Sequence, residues 1–184
     1  MPPDLTIAYT GRPELADCRT MLEGARVRFG SFSEAFDLGV SAAGTHIFTA
    51  TEIGRARLGI VNLHLAPLPQ YRGRFSATHA ILNGDRSFGV TLHYIDEGID
   101  TGPIIAELRF PIVERETAAS LRQRARFWGM RLFAKTLPEL LRAAYEGRRA
   151  AASPQDASLA RYYDRFSLPA PDPSDPLLTR ALTA

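Results

Sequence analysis

Apolar positions along the chain fall into short blocks separated by polar, turn-forming stretches. Leu5 to Tyr9 is an apolar block of strand length, followed by Thr10-Gly11-Arg12-Pro13-Glu14 and an amphipathic pattern through Leu22. Pro13 suits a first helical turn, where its missing N–H has no partner to lose. That turn presents backbone donors and the Arg12 guanidinium at a helix N-terminus, an arrangement that favours an anion. Arg26 to Ser31 predicts an abbreviated strand and Phe36 to Ala42 a buried one. Thr49 to Arg57 predicts a modest helix capped by Thr49 or Thr51, and Leu58 to Leu63 a further strand.

The pattern continues in the second half. Ser76 to Leu82 predicts a helix stopped by Asn83-Gly84, and Phe88 to Ile95, FGVTLHYI, is rich in strand formers. Asp96 to Pro103 is a loop with glycines on both sides of Asp100, and Ile104 to Phe110 is again a strand. Glu116 to Gly147 predicts one long helix, because Leu121, Ala125, Trp128 and Leu132 recur at helical spacing; Pro138 should kink or restart it. Trp128 reads as core, His79 as a helix-surface residue. Alternation of strand and helix argues an α/β fold with a mostly parallel sheet flanked by helices. We divide the chain into a main domain, residues 1–149, and an extension rich in Ala, Ser and Pro, residues 150–184, expected to wrap the surface.

Composition narrows the class without naming a partner. The 184 residues suit one domain, and 45% apolar with 23% charged side chains is ordinary for a globular protein. Twenty-two basic against 20 acidic side chains leave a formal charge of +2, too weak to point to nucleic acid or a membrane surface. Lys135 is the sole lysine, so the cationic groups are planar arginine forks. A single cysteine, Cys18, excludes an internal disulfide and a cysteine metal cluster, which fits a reducing compartment. No basic region precedes a long apolar run at the N-terminus and no apolar run has the length of a bilayer span, so a cytoplasmic protein is expected.

The segment Val61 to Gly73, VNLHLAPLPQYRG, changes character midway. Alternate strand residues point the same way, so Asn62 and His64 share one face while Val61, Leu63 and Leu65 take the other. Pro67 and Pro69 then stiffen the exit, and Tyr71-Arg72-Gly73 puts an aromatic ring and a guanidinium near the strand's mouth. Each polar residue alone has a structural explanation: a strand amide or imidazole can be a satisfied core group, Arg72 can brace its loop, and an Asp between glycines can form a turn.

Taken together these segments resemble the signature of the folate-dependent formyltransferases, which include glycinamide ribonucleotide, methionyl-tRNA and sugar-nucleotide N-formyltransferases. The resemblance rests on Asn62-Leu63-His64, Leu68-Pro69-Gln70-Tyr71-Arg72-Gly73, Ala80-Ile81-Leu82-Asn83-Gly84, Gly89-Val90-Thr91-Leu92-His93-Tyr94 and Asp96-Glu97-Gly98-Ile99-Asp100-Thr101-Gly102-Pro103, and is strongest from Gly59 to Phe110. It implies a Rossmann-like fold and a catalytic set of Asn62, His64 and Asp100, with 10-formyltetrahydrofolate as co-substrate and no metal. It also implies that Thr45, His46, Ile47 and Phe48, with Ile99 and Thr101, meet the pterin, His46 at the rim. Gly11, Arg12, Tyr71, Arg72 and Gly73 fall on the side expected to hold the acceptor. His93, on the strand before the acidic loop, is expected either to line the same cleft or to be a packed strand histidine, and stands outside the catalytic set.

The implied chemistry suits these residue types. Formyl transfer to an amine builds negative charge on the formyl oxygen and makes the attacking nitrogen acidic. Asn62 and a donor-oriented His64 can serve the oxygen, and Asp100 can orient His64 and take the amine proton directly or through water. The division of proton duties between His64 and Asp100 stays open.

The resemblance also has departures. Only 61 residues precede Asn62, which implies the loss of a strand-helix unit from the first half and a narrower sheet edge. Such an edge either widens the pocket or calls for a homodimer or partner subunit to cover it. The late Gln155 to Tyr163 wording is closest to sugar N-formyltransferases, so the expected acceptor is a small-molecule amine such as an amino-sugar nucleotide or an amino acid. The 184 residues leave no room for the separate C-terminal domain of the methionyl-tRNA enzymes, so nucleic acid is not expected as a partner. Delivery of the formyl group to water, and a non-catalytic ligand-binding subunit, are the alternatives.

Overall fold

A computed structural model describes residues 5–170, 172 and 174–182; the outer ends of the two expected segments, residues 1–4 and 183–184, lie outside the described residues. The first strand, β1 (Leu5–Gly11), leads through a 3-10 turn at Pro13–Leu15 into α1 (Ala16–Glu23). After β2 (Val27–Gly30) the chain crosses to β3 (Leu38–Ala42) without a helix, the structural counterpart of the shortened first half. Next come α2 (Ala50–Gly54) and β4 (Ile60–His64). Of the two expected caps, Thr49 is the one used, in a capping box with Glu52.

Beyond β4 lie a short strand β5 (Arg72–Gly73), α3 (Ser76–Leu82), β6 (Ser87–Tyr94) and β7 (Ile104–Pro111). The main sheet has six strands in the order β2-β1-β3-β4-β6-β7. Only β6 opposes the others, so the sheet is mostly parallel, with helices on its faces. Strands β3, β4 and β6 are buried nearly throughout, which is why they read as continuous apolar runs.

The long helix α4 (Ala118–Tyr145) is one element that passes through Pro138 without restarting. It lies on the sheet because Leu121, Ala125, Gly129 and Leu132 turn inward. The helix approaches the sheet closely at Gly129, where a Cβ would sit 2.8 Å from the Leu65 Cδ2 side-chain atom, just past the end of β4. Trp128 packs against the core, as its helical spacing predicts.

The extension folds back over the main domain. Ser153 exchanges backbone hydrogen bonds with Ile104, and β8 (Tyr162–Tyr163) pairs in parallel with β5. The last helix, α5 (Pro176–Leu182), packs on α3. The Tyr163 ring stacks on His79 and Tyr71, with centroids 4.2 and 5.2 Å away. His79 is therefore buried rather than on the helix surface, because a ring from the extension covers it. Among the described residues no helix is long and apolar enough to cross a membrane.

Candidate active site

The C-terminal end of β4 opens onto a cleft of about 830 Å³. Asn62 and His64 stand on the same face of this strand and both line the cleft, as alternation requires. The antiparallel register pairs Asn62 with His93 on β6, and the parallel register pairs it with Ser41 on β3. These three buried polar residues form a row across the sheet at the cleft floor.

Asp100 reaches the same place from the loop between β6 and β7. The loop closes at its base where the Tyr94 N–H donates to the Pro103 carbonyl. Gly102 permits the closure, since a Cβ there would fall 1.9 Å from the Tyr94 carbonyl oxygen. Asp100 itself adopts φ 54°, a left-handed conformation that Asp tolerates better than most residues. Its Oδ2 accepts from the Gly73 N–H at 2.9 Å and lies 3.7 Å from His64 Nδ1. Its Oδ1 lies 3.6 Å from His93 Nε2. The carboxylate thus sits between two imidazoles and one backbone donor.

Hydrogen bonds to carbonyl groups decide where the ring protons sit. His64 Nε2 is 2.7 Å from the Tyr71 carbonyl oxygen, which can only accept, so Nε2 carries a proton and Nδ1 is the nitrogen turned toward Asp100. His93 Nδ1 likewise donates to the Tyr94 carbonyl at 2.8 Å. Burial first, then repulsion from His64, pushes His93 down to about 4, so it is neutral near pH 7 and its Nε2 accepts from Asn62 Nδ2 at 3.2 Å. That leaves Asn62 Oδ1 buried with no hydrogen-bond partner among the described residues. The amide keeps a second N–H that His93 does not use.

A residue from the extension holds the loop. Gln155 donates through Nε2 to the carbonyls of Asp100 and Gly102, each at 2.8 Å, while its Oε1 accepts from Arg72 Nε and Nη2 at 3.1 and 2.8 Å. Gly73, at φ 87°, lets β5 approach β8, because a Cβ would lie 2.2 Å from the Tyr163 carbonyl oxygen. Neither Gln155 nor His93 belongs to the expected catalytic set. The sequence marks Gln155 only through the wording of its segment, and strand register shows how His93 meets Asn62.

The remaining expected residues divide in two. Thr45, His46, Ile47, Phe48 and Ile99 line the cleft together with Arg12 and Gly73. Gly11, Tyr71, Arg72 and Thr101 stand outside its lining. Tyr71 spends its hydroxyl on Asp85 Oδ2 at 2.5 Å and supplies only a carbonyl to His64, while Arg72 is occupied by Gln155. Thr101 bonds to Asp96, and Gly11 backs onto Ala42.

The segment from Thr45 to Phe48 has no regular secondary structure, and its backbone N–H and C=O groups make no hydrogen bond among the described residues. Exposed, unpaired peptide groups beside an apolar rim suit the edge of a flat polar heterocycle. By this test the residues present fit a pterin.

Comparison with known proteins gives the site its context. The formyl transferase family profile matches residues 32–137. The methionyl-tRNA formyltransferase of Halorhodospira halophila is 42% identical over 108 residues, covering 59% of this chain and 35% of that protein. Its counterpart from Thermus thermophilus is 36% identical over 142 residues, covering 73% of this chain and 47% of the relative. The chain thus spans half or less of the length of these curated relatives. Among solved structures, an N-formyltransferase from Helicobacter canadensis in complex with folinic acid and dTDP-3-aminofucose aligns with a TM-score of 0.80 at 20% identity, covering 97% of this chain and 80% of that one. A 4-N formyltransferase from Francisella tularensis gives a TM-score of 0.81 at 17% identity, covering 97% and 88%. These structural likenesses establish the fold, and the profile match extends over more than half of the sequence. The chain belongs to the formyl transferase family.

Proposed function

We propose that the chain is an N-formyltransferase that moves the formyl group of 10-formyltetrahydrofolate to the amine of a small molecule in the cytoplasm. The observation that carries this reading is the convergence of Asn62, His64 and Asp100 at the floor of one cleft, with Asp100 Oδ2 3.7 Å from His64 Nδ1. The cleft volume of about 830 Å³ lies in the range of small-ligand pockets and supports a compact acceptor.

The donor supplies an activated formyl carbon, and the chain's own residues provide the rest. Thr45 to Phe48 and Ile99 hold the pterin at one wall, their free backbone groups reading its edge. Asn62 offers its second amide N–H to the formyl oxygen as negative charge grows there, in a buried position where such a donor counts most. His64 moves a proton at Nδ1, since Nε2 is committed to the Tyr71 carbonyl. Asp100, 3.7 Å from that Nδ1, stabilises the ring once it takes up a proton there, and it faces the position from which an amine loses its proton. His93 and Gln155 keep Asn62 and Asp100 in place.

The test is to incubate the full chain with 10-formyltetrahydrofolate and a panel of amines that includes amino-sugar nucleotides and amino acids. A gain of one CO on an acceptor, dependent on Asp100, is the expected result. Formate release at full rate without any amine would overturn the reading in favour of hydrolysis. Failure to bind a stable folate analogue would overturn it in favour of a non-catalytic subunit.

A further inference from the structure

Among the described residues, Asn62 Oδ1 is the one fully buried side-chain oxygen or nitrogen without a hydrogen bond. Reversing the amide does not relieve it, because His93 Nδ1 donates to the Tyr94 carbonyl and Nε2 is left to accept from Asn62. An unpaired acceptor out of reach of water is costly, so a donor for it is expected from the protein itself. Strand β4 lies between β3 and β6, and the amide nitrogen is spent on the β6 side. The side chain left to serve the oxygen is the one on β3.

That residue is Ser41. It stands opposite Asn62 in the parallel register, lines the same cleft and is 2% exposed. Its hydroxyl makes no hydrogen bond among the described residues. Instead Oγ lies beside Gly44, where an added Cβ would come within 3.0 Å of it. An unspent donor and an unspent acceptor therefore occupy neighbouring strands at paired positions. A turn about χ1 from one staggered position to another redirects the hydroxyl from Gly44 to Asn62.

We propose that Ser41 is a positioning residue for formyl transfer, its hydroxyl donating to Asn62 Oδ1. The bond completes a chain that runs in one direction across the sheet, from the Ser41 hydroxyl to Asn62 Oδ1, from Asn62 Nδ2 to His93 Nε2, and from His93 Nδ1 to the Tyr94 carbonyl. Bonds in such a chain polarise one another. A donor on the amide oxygen draws electron density from the amide nitrogen. The second N–H of Asn62 then binds the formyl oxygen more strongly as negative charge grows there. The role of that N–H rests on the formyl-transfer reading above, whereas the Ser41–Asn62 bond stands on the strand register and the unpaired oxygen.

The test compares the wild type with S41A and S41T by spectroscopy and by kinetics. In the isotope-labelled full chain, alone and with 5-formyltetrahydrofolate, the Asn62 carboxamide carbon reports a donor on its oxygen as a downfield NMR shift. The wild type and S41T should show that shift, and S41A should lose it. With an amine identified by the panel above, S41A should lower kcat about tenfold at unchanged KM for 10-formyltetrahydrofolate, and S41T should restore it. A merely structural role would lower the melting temperature without moving the carbon resonance. The same Asn62 resonance in wild type and S41A overturns the proposal. A shifted resonance with unchanged kcat in S41A also overturns it, by separating the bond from the transfer step. If the wild type formylates no amine in the panel, the formyl-transfer reading fails, and the carbon resonance still decides whether Ser41 holds the Asn62 oxygen.

Discussion

Asn62 and His93 meet across two antiparallel strands at 3.2 Å, and this contact sets the orientation of the Asn62 amide. His93 gives its only proton to the Tyr94 carbonyl, so Nε2 must accept and Asn62 must present its nitrogen. The orientation of a proposed oxyanion donor is therefore fixed by a neighbouring ring. Asn62→Ala should lower the single-turnover transfer rate about a hundredfold, the usual cost of losing such a donor. Affinity for 5-formyltetrahydrofolate should change little, and a rate near that of the wild type would remove Asn62 from this role.

Replacement of the pair proposed to handle the proton, His64 and Asp100, should be more severe. His64→Ala and Asp100→Asn should each reduce transfer by about 10²- to 10⁴-fold. Thermal melts and folate-analogue binding then show whether the fold and donor site survive. Full turnover by either variant would end this version of the mechanism.

The Gln155 clamp predicts a loss at a distance from the chemistry. Gln155→Leu keeps roughly the same volume but deprives the Asp100 and Gly102 carbonyls of their donor and Arg72 of its acceptor. The expected cost is about 1–3 kcal/mol in urea unfolding. The rate should fall further than folate-analogue affinity does, because the displaced group is the carboxylate. Unchanged turnover would show that the loop holds its shape unaided.

The buried His93 gives a pH signature. Its folded pKa of about 4 lies below the ordinary 6.5, so the unfolded chain binds the extra proton first. The sign follows: stability is fully present above about pH 6.5 and is lost as pH falls through about 4. His93→Gln should flatten that part of the slope. Urea midpoints measured across this interval for both proteins provide the check, and parallel slopes would contradict it.

Much of the fold was legible because its cues are local. The capping Thr49, the Asn83-Gly84 stop and the alternation through β4 each state a backbone preference within a few residues. Asn62 and His64 were readable for the same reason, since strand periodicity alone puts them on one face. Asp100 needed the motif around it. His93 was readable as a cleft-lining or packed histidine, but its pairing with Asn62 comes from register, a relation between strands that no single segment encodes. Arg72 has the chemistry of a ligand-binding residue, yet its guanidinium is engaged by Gln155, a partner 83 positions away. Pro138, expected to kink or restart the helix, lies inside α4, which continues to Tyr145 without restarting.

Because Gln155 grips the Asp100 carbonyl from 55 positions downstream, the carboxylate loop cannot take its final setting until that much more chain has been synthesised. A ribosome making this protein would release the β4 pair, Asn62 and His64, well before the third group is locked. The strand residues are set early, and the arrangement around Asp100 is complete only when the Gln155 hydrogen bonds close.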